Sequence, residues 1–421
     1  MSATAAAVRR NAYVDSVSLL QVSADVLALA GVVEAALVMA TELNRQVLSD
    51  SGLLVDDAVT AGPNDLVIAV RAADDSAAQA ALREAEGLLA RRRAVTGSSG
   101  DGAQRQTPRS VRSAHHADPR ANLAAISVPG QYAAAEARQA LAEGLNVFLF
   151  SDNVSLADEV ELKRAARAQN LLVMGPDCGT SILNGVGLGF ANVVRRGRIG
   201  LVGASGSGLQ EVTSLLHQAG EGISQAIGTG GRDLSTEVGG ITTLQALDLL
   251  RDDPRTEVIV LISKPPAAEV AERVLRAAAA TGKPVVACLL GSTMQPPGGV
   301  QLARNLYQAA RLAAGPDAAW SGVSAHDLPR LRLRDEQRQV RGLYCGGTLC
   351  EEAELALGEA IDHQLIDFGD DQYTRGRAHP MIDPSLRNYA IVDAGADPRV
   401  AVLLLDVMLG LGSHADPAGA M

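Results

Sequence analysis

The sequence predicts an α/β protein built from three wound parallel-sheet units. Three observations carry that reading. From Ala121 onward, apolar runs of strand length alternate with amphipathic helical stretches. Aromatic residues make up only 3% of the chain while Ala, Gly, Val and Leu dominate, a composition suited to close helix-on-sheet packing. A strand, small-residue turn and helix occur twice, each followed in the same order by a second shared segment. With 421 residues, the chain has room for roughly two to four domains.

The first unit is expected over residues 1–95. Residues 16–22 and 32–39 read as strands flanking a helix, DLVIAVRA at 65–72 as a strand, and SAAQAALREAEGLLARRR as a helix. TGSSGDGAQRQTPRS, without periodicity, predicts a flexible linker over 96–120. Over 121–195, LAAISVP, NVFLFSD and LLVMGPD are strands separated by helices, which implies parallel βαβ winding. Ligands of such sheets bind at the carboxyl ends of strands, here Val128–Gly130, Ser151–Asn153 and Gly175–Gly179. A second winding covers 196–315. After a connector rich in charges, a third, shortened one completes 316–421.

The third unit repeats the second. RIGLVGASGSGLQEV and QVRGLYCGGTLCEEA share a strand, a small-residue turn, and then a Leu and a Glu. Roughly 50 residues on, DPRTEVIVLI lies over DPRVAVLLLD. GASGSGLQ has the glycine spacing of a P-loop, but Leu209 and Gln210 stand where Lys and Ser/Thr would contact nucleotide phosphates and Mg²⁺. What remains is an anion cradle of backbone N–H groups at a helix N-terminus. Its expected phosphate-binding residues are Gly206, Ser207 and Gly208, with Gly346, Gly347 and Thr348 from the second copy, and Gly230 and Gly231 from GTGGRD. A tight strand-to-helix turn needs the same small residues; the second copy favours the cradle.

Substrate-binding candidates are Asp177 and Cys178 in GPDCG, and the basic group Arg375, Arg377, His379 and Arg387, which suits a carboxylate. His379 and His414, the latter just past the final strand, are the catalytic candidates. The four cysteines are scattered without a CxxC pair, so neither a disulfide framework nor a metal site is expected. The net charge of −11 and the scarcity of aromatics argue against nucleic acid. No apolar run approaches the ~20 residues of a membrane helix, and no signal-peptide pattern opens the chain, so a cytoplasmic location is expected.

GPDCG, GRIGLVGASGSGLQEV, AIGTGGRD, DPRTEVIVLI and KPVVACLLG resemble the α subunit of succinyl-CoA synthetase, an NDP-forming acyl-CoA ligase. The resemblance implies a Rossmann-like, CoA-binding-type unit followed by two synthetase-like, flavodoxin-like units. It also implies a phosphate faced by two helix N-termini, here both supplied by one chain. Nearly the whole sequence, including NAYVDSVSLLQVS, ISKPPA, YCGGTLCEEA, AHPMIDPSLR and LLLDVMLGLGSHADP, is similar to the FdrA proteins. That similarity implies a carbamoyltransferase subunit acting on a small carboxylate such as oxamate. It would use carbamoyl phosphate or phosphate in a hetero-oligomer with other transferase subunits and a carbamate kinase.

The alternatives are a subunit of an acyl-CoA synthetase and a non-catalytic scaffold. The sequence departs from the synthetase at two points. STMQPPGGVQLARNLYQAA carries no His where the synthetase is phosphorylated, and Ser263-Lys264-Pro265-Pro266 replaces the supporting Glu. The Gly/Ser-rich CoA loop has no counterpart, so no tightly bound cofactor is expected and CoA is the weaker ligand expectation.

Overall fold

The computed structural model describes residues 3–12, 14, 16–97, 108–318, 320, 332–374 and 378–421. The chain divides into two compact units, Met1–Gln106 and Thr107–Met421.

In the first unit, strand β1 (Ala3–Arg9), helix α1 (Ser16–Leu27), β2 (Val32–Met39), α2 (Glu42–Asp50), β3 (Leu66–Ala72) and α3 (Asp75–Gly97) form a three-stranded sheet with helices on both faces. The strand order is β1-β3-β2, with β3 antiparallel to both neighbours. Strand periodicity splits β3 between two cores. Ile68 and Val70 pack with Leu19, Val22 and Val26 of α1 and Ala78 and Ala81 of α3. Val67 and Ala69 pack with Leu48, Leu53 and Ala58. The segment 16–22, expected as a strand, is helical: Leu19, Val22 and Val26 recur at helical spacing and are all buried. The first strand is instead the alanine-rich Ala3–Arg9, where small residues conceal the alternation.

The second unit opens with α4 (Val111–Ala117), closed by a capping box between Ser110 and Ser113. This corrects the expectation of a linker there; residues 98–107 lie outside the described residues. β4 (Leu123–Ile126), α5 (Gly130–Ala142), β5 (Asn146–Leu149), α6 (Leu156–Ala168) and β6 (Val173–Met174) make a parallel sheet in sequential order.

A hairpin, β7 (Thr180–Leu183) and β8 (Val186–Gly189), then leads into the second winding. That winding comprises β9 (Arg196–Ala204), α7 (Gly206–Gln218), β10 (Ile223–Gly228), α8 (Ile241–Asp252), β11 (Val258–Ser263), α9 (Ala268–Ala279), β12 (Val285–Leu289), β13 (Val300–Leu302) and α10 (Leu306–Ala314). The sheet runs β13-β12-β11-β9-β10-β7-β8, parallel except at the hairpin. Its central strands are buried on both faces, between α8 and α9 on one side and α7 and α10 on the other.

The third winding contains β14 (Gln339–Tyr344), α11 (Gly347–Leu357), β15 (His363–Asp367), α12 (Asp371–Thr374), α13 (Ser385–Ala396) and β16 (Val400–Leu405). Its order, β15-β14-β16, reproduces β10-β9-β11. The repeat read in the sequence is thus a repeat of topology. Both copies place their glycine turn at the carboxyl end of a central strand.

Candidate functional site

The two turns meet. Ser205 caps α7, its Oγ accepting the Gly208 N–H at 2.9 Å. Gly346 caps α11 without a side-chain bond of its own. The Asp406 carboxylate, just past β16, takes that role, accepting from the N–H groups of Cys345 at 2.9 Å and Gly346 at 2.7 Å. Ser205 Oγ lies 2.6 Å from Thr348 Oγ1, and Ser207 Oγ accepts the Thr348 N–H at 3.4 Å. Ser207 and Thr348 are buried by this contact. Gly206, Ser207, Gly208, Gly346, Gly347 and Thr348 therefore form one cluster. Because the hydroxyls already touch, a ligand would approach from the flank rather than between the helices. The first-turn N–H groups at Gly206, Ser207 and Gly347 have no intrahelical partner by helix geometry.

Loops from the other windings surround that flank. Gly230 adopts φ +85°, and a Cβ there would overlap the Pro176 carbonyl, so glycine is required for GTGGRD to pack against GPDCG. A Cβ on Gly231 would lie 3.7 Å from the Asp177 carboxylate. A buried ion network fixes this loop. Lys163 Nζ donates to Glu159 at 2.7 Å, to Asp233 at 2.7 Å and to the Thr229 carbonyl at 2.9 Å. Asp233 also accepts the Thr243 N–H at 2.8 Å, in the first turn of α8. The sequence reading missed this network; an Asp beside a glycine pair and a Lys four residues after a Glu were its only signals.

Asp177 stands at a positive φ of 53°. Its side chain is exposed to solvent although protein atoms crowd around it. Burial, with the charges of Asp371 and Asp152, pushes its pKa up to about 7, against the opposing pull of Lys264 and Arg232. Cys178 turns inward: it is buried, its Sγ lies 3.6 Å from Ser181 Oγ, and burial pushes the thiol up to about 12. It is placed for packing, not for contact with a ligand.

Lys264 and Asp367 complete the flank, and the sequence reading had assigned neither to the site. Lys264 Nζ lies 4.0 Å from Asp367 Oδ2. Asp367 Oδ1 accepts the Gly369 N–H at 2.9 Å, and burial raises the Asp367 pKa. The strand pairing puts Asp367 at the end of β15, opposite Tyr344.

His379 lies beside this loop, its ring 5.6 Å from that of Phe190. Its Nδ1 accepts the Met381 N–H at 3.2 Å, which leaves Nε2 as the protonated nitrogen of a neutral ring, and burial pushes its pKa down to about 4. His414 is tied to the same loop: its N–H donates to the Met381 carbonyl at 2.7 Å, and its Nδ1 accepts the Asp416 N–H at 3.1 Å.

Arg387 does not belong to a basic loop. It sits in the first turn of α13, buried, and donates to Asp406 Oδ1 at 2.7 Å and to the Asp406 carbonyl at 3.0 Å. Its guanidinium is engaged in holding the carboxylate that caps α11. Arg375 and Arg377 lie outside the described residues.

Three family models match: "AllF, heavy metal-associated domain" over residues 1–108, "CoA binding domain" over 194–291 and "CoA-ligase" over 343–421. The first name implies a metal, but residues 1–108 contain neither Cys nor His, so the soft donor set of a heavy-metal site is missing. Among the described residues no group of three or more His, Cys, Asp or Glu is placed to hold a metal ion, and no helix is long and apolar enough to cross a membrane.

The chain is 31% identical over 42% of its length to the α subunit of an ADP-forming succinate–CoA ligase of Aquifex aeolicus, of which it covers 58%. It is 27% identical over 51% of its length to SqwL, an ADP-forming sulfoacetate-CoA ligase subunit of an Acholeplasma species, of which it covers 70%. The chain thus spans little more than half of the succinate ligase subunit it matches. Against YahF of Escherichia coli K12, an uncharacterized protein, identity is 43% over 98% of this chain and 85% of that one. The chain therefore belongs to the family of YahF, with a CoA-binding domain and a CoA-ligase domain similar to those of succinyl-CoA synthetase α subunits.

Proposed function

We propose that this chain is the acyl-handling subunit of an NDP-forming acyl-CoA synthetase-type enzyme, holding a phosphoryl group at the flank of its paired helix N-termini. The observation that carries the reading is the Ser205–Thr348 contact, which brings two glycine turns from separate windings together. Their first-turn N–H groups and helix dipoles stabilise negative charge developing on phosphate or carbonyl oxygens. In the synthetic direction a carboxylate oxygen attacks the terminal phosphorus of ATP, bound by a partner subunit; the P–O bond to ADP breaks, ADP leaves with the electron pair, and an acyl phosphate forms. A thiol then attacks the carbonyl carbon, the C–S bond forms, and the C–O bond to phosphate breaks with its electron pair leaving on inorganic phosphate. Burial raises the thiols of Cys178, Cys345 and Cys350, so none of them is a suitable nucleophile. The named ligase relatives support this reading over carbamoyl transfer.

One observation favours the second reading, a carbamoyltransferase subunit of FdrA type. No histidine occurs between His217 and His326, and Lys264 replaces the residue that would support a phosphohistidine. Phosphate would then arrive or leave as carbamoyl phosphate. Assay of the purified chain together with the products of neighbouring genes separates the readings. The ligase reading expects CoA-dependent ADP formation from ATP and a carboxylate. The transferase reading expects phosphate-dependent formation of carbamoyl phosphate from a carbamoylated acid. If neither product forms, the chain is a scaffold and both readings fall.

A further inference from the structure

Beside the paired turns, loops from three sheets bring unlike charges together. Asp152 follows β5, Asp177 follows β6, Lys264 follows β11 and Asp367 ends β15. All four lie at carboxyl ends of parallel strands, where wound sheets take their ligands. Lys264 is the cation common to the group, since its charge acts on Asp177, on Asp367 and on Cys350.

Lys264 is nevertheless poorly engaged. Its ion pair with Asp367 is 4.0 Å long, its side chain is 38% exposed, and among the described residues it makes no hydrogen bond. Lys163 shows how this protein treats a structural ammonium: fully buried, with three acceptors within 2.9 Å. An ammonium has three donors to satisfy. Lys264 holds its own beside the start of α11, where a Cβ on Gly347 would come within 2.5 Å of Nζ. In the loop of Asp152, Ser151 is 6% exposed and its buried hydroxyl has no hydrogen-bond partner, while the Ser151 carbonyl accepts the Asp177 N–H at 3.0 Å.

We propose that Lys264 receives an anionic oxygen of the phosphate or acyl phosphate, and that Asp177, at a neighbouring strand end, hydrogen-bonds the same anion. The proposal rests on the phosphate-site reading above and names the residues that discriminate for the ligand. An incoming anion exchanges the long Lys264–Asp367 pair for a short charge-assisted bond. The groups facing Asp177 are Asp152 and Asp371, which favour its protonated form, and Lys264 and Arg232, which oppose it. With a pKa of about 7, Asp177 is substantially protonated at neutral pH and donates a hydrogen bond instead of repelling the ligand.

The test is calorimetric titration of the full chain with inorganic phosphate and with sulfate, at about pH 6 and about pH 8. Sulfate keeps its charge over this range, so any pH dependence belongs to the protein. Wild type is expected to bind both anions, and sulfate more tightly at the lower pH. Lys264→Met should weaken both by about tenfold or more, with Lys264→Arg staying within about threefold of wild type. Asp177→Asn should bind sulfate with equal affinity at the two pH values. Thermal melts of each variant check that the fold is intact. If wild type binds phosphate and Lys264→Met binds it as well, the Lys264 assignment fails while the paired-turn reading stands. If wild type binds neither anion, both fail. A wild-type sulfate affinity independent of pH removes Asp177 from the site.

Discussion

At the residue scale, the glycines of the two turns are not equivalent. A Cβ on Gly206 would meet nothing closer than Gly179 Cα at 3.5 Å, an ordinary contact. A Cβ on Gly347 would overlap the Asp367 carboxylate and crowd Lys264 Nζ. Gly206→Ala should therefore keep the wild-type melting temperature, because it also replaces a flexible residue with a better helix former. Gly347→Ala should weaken inorganic phosphate binding by about tenfold, because it displaces the charged pair beside α11. Thermal melts and phosphate titration of both variants check this, and equal behaviour of the two would remove the distinction. The histidines differ in a similar way. His379 is held neutral by burial, so it can donate from Nε2 at any pH above about 4, whereas a role that needs imidazolium is closed to it.

At the element scale, each glycine turn is held by a distant carboxylate or hydroxyl. In α11 the cap comes from Asp406 after β16, itself fixed by Arg387 from α13, and both side chains are almost wholly buried. In α8 the first turn is held by Asp233, which is fixed by Lys163 from α6. Removing one partner of a buried pair strands the other charge and costs about 3–5 kcal/mol. Asp406→Ala and Lys163→Met are each expected to lose stability of about that size in urea denaturation at neutral pH. A loss under about 1 kcal/mol would mean that water reaches the pair. Arg387 illustrates why composition misleads at this scale. Three arginines and a histidine near one another in sequence suggested a basic group for a carboxylate substrate, but helix α13 turns Arg387 inward to an acid just past a later strand.

At the scale of the whole molecule, the two units are distinct in architecture. The first has an antiparallel sheet with its own two cores, formed from residues between Ala5 and Leu89. A sheet buried on both faces and assembled only from local segments should fold without the rest of the chain. A fragment of residues 1–106 is predicted to melt cooperatively, with near-ultraviolet or NMR evidence of fixed packing. A broad, non-cooperative melt would show that it depends on the second unit. In the second unit, duplication of one winding places two strand–turn–helix motifs in one chain, and their packing supplies the candidate site.

What the sequence determined by itself is the part of the structure that repeats locally. The 3.6- and 2-residue periods specify the windings, and the small-residue turns and the shared DPR segments reveal the duplication and the six turn residues that cluster. Where periodicity was weak it misled, as at residues 16–22, whose buried stripe is helical, and 111–117, whose capping box was overlooked. The tertiary structure alone decided which side chains meet. Ser205 and Thr348 are 143 positions apart, and Lys264 finds Asp367, and Arg387 finds Asp406, only after separate strands and helices pack. The physical reason is that the helical and strand side-chain periods are set by residues close along the chain. A buried charge, by contrast, is tolerated only where the fold delivers an opposite one, and no local pattern records where that partner comes from.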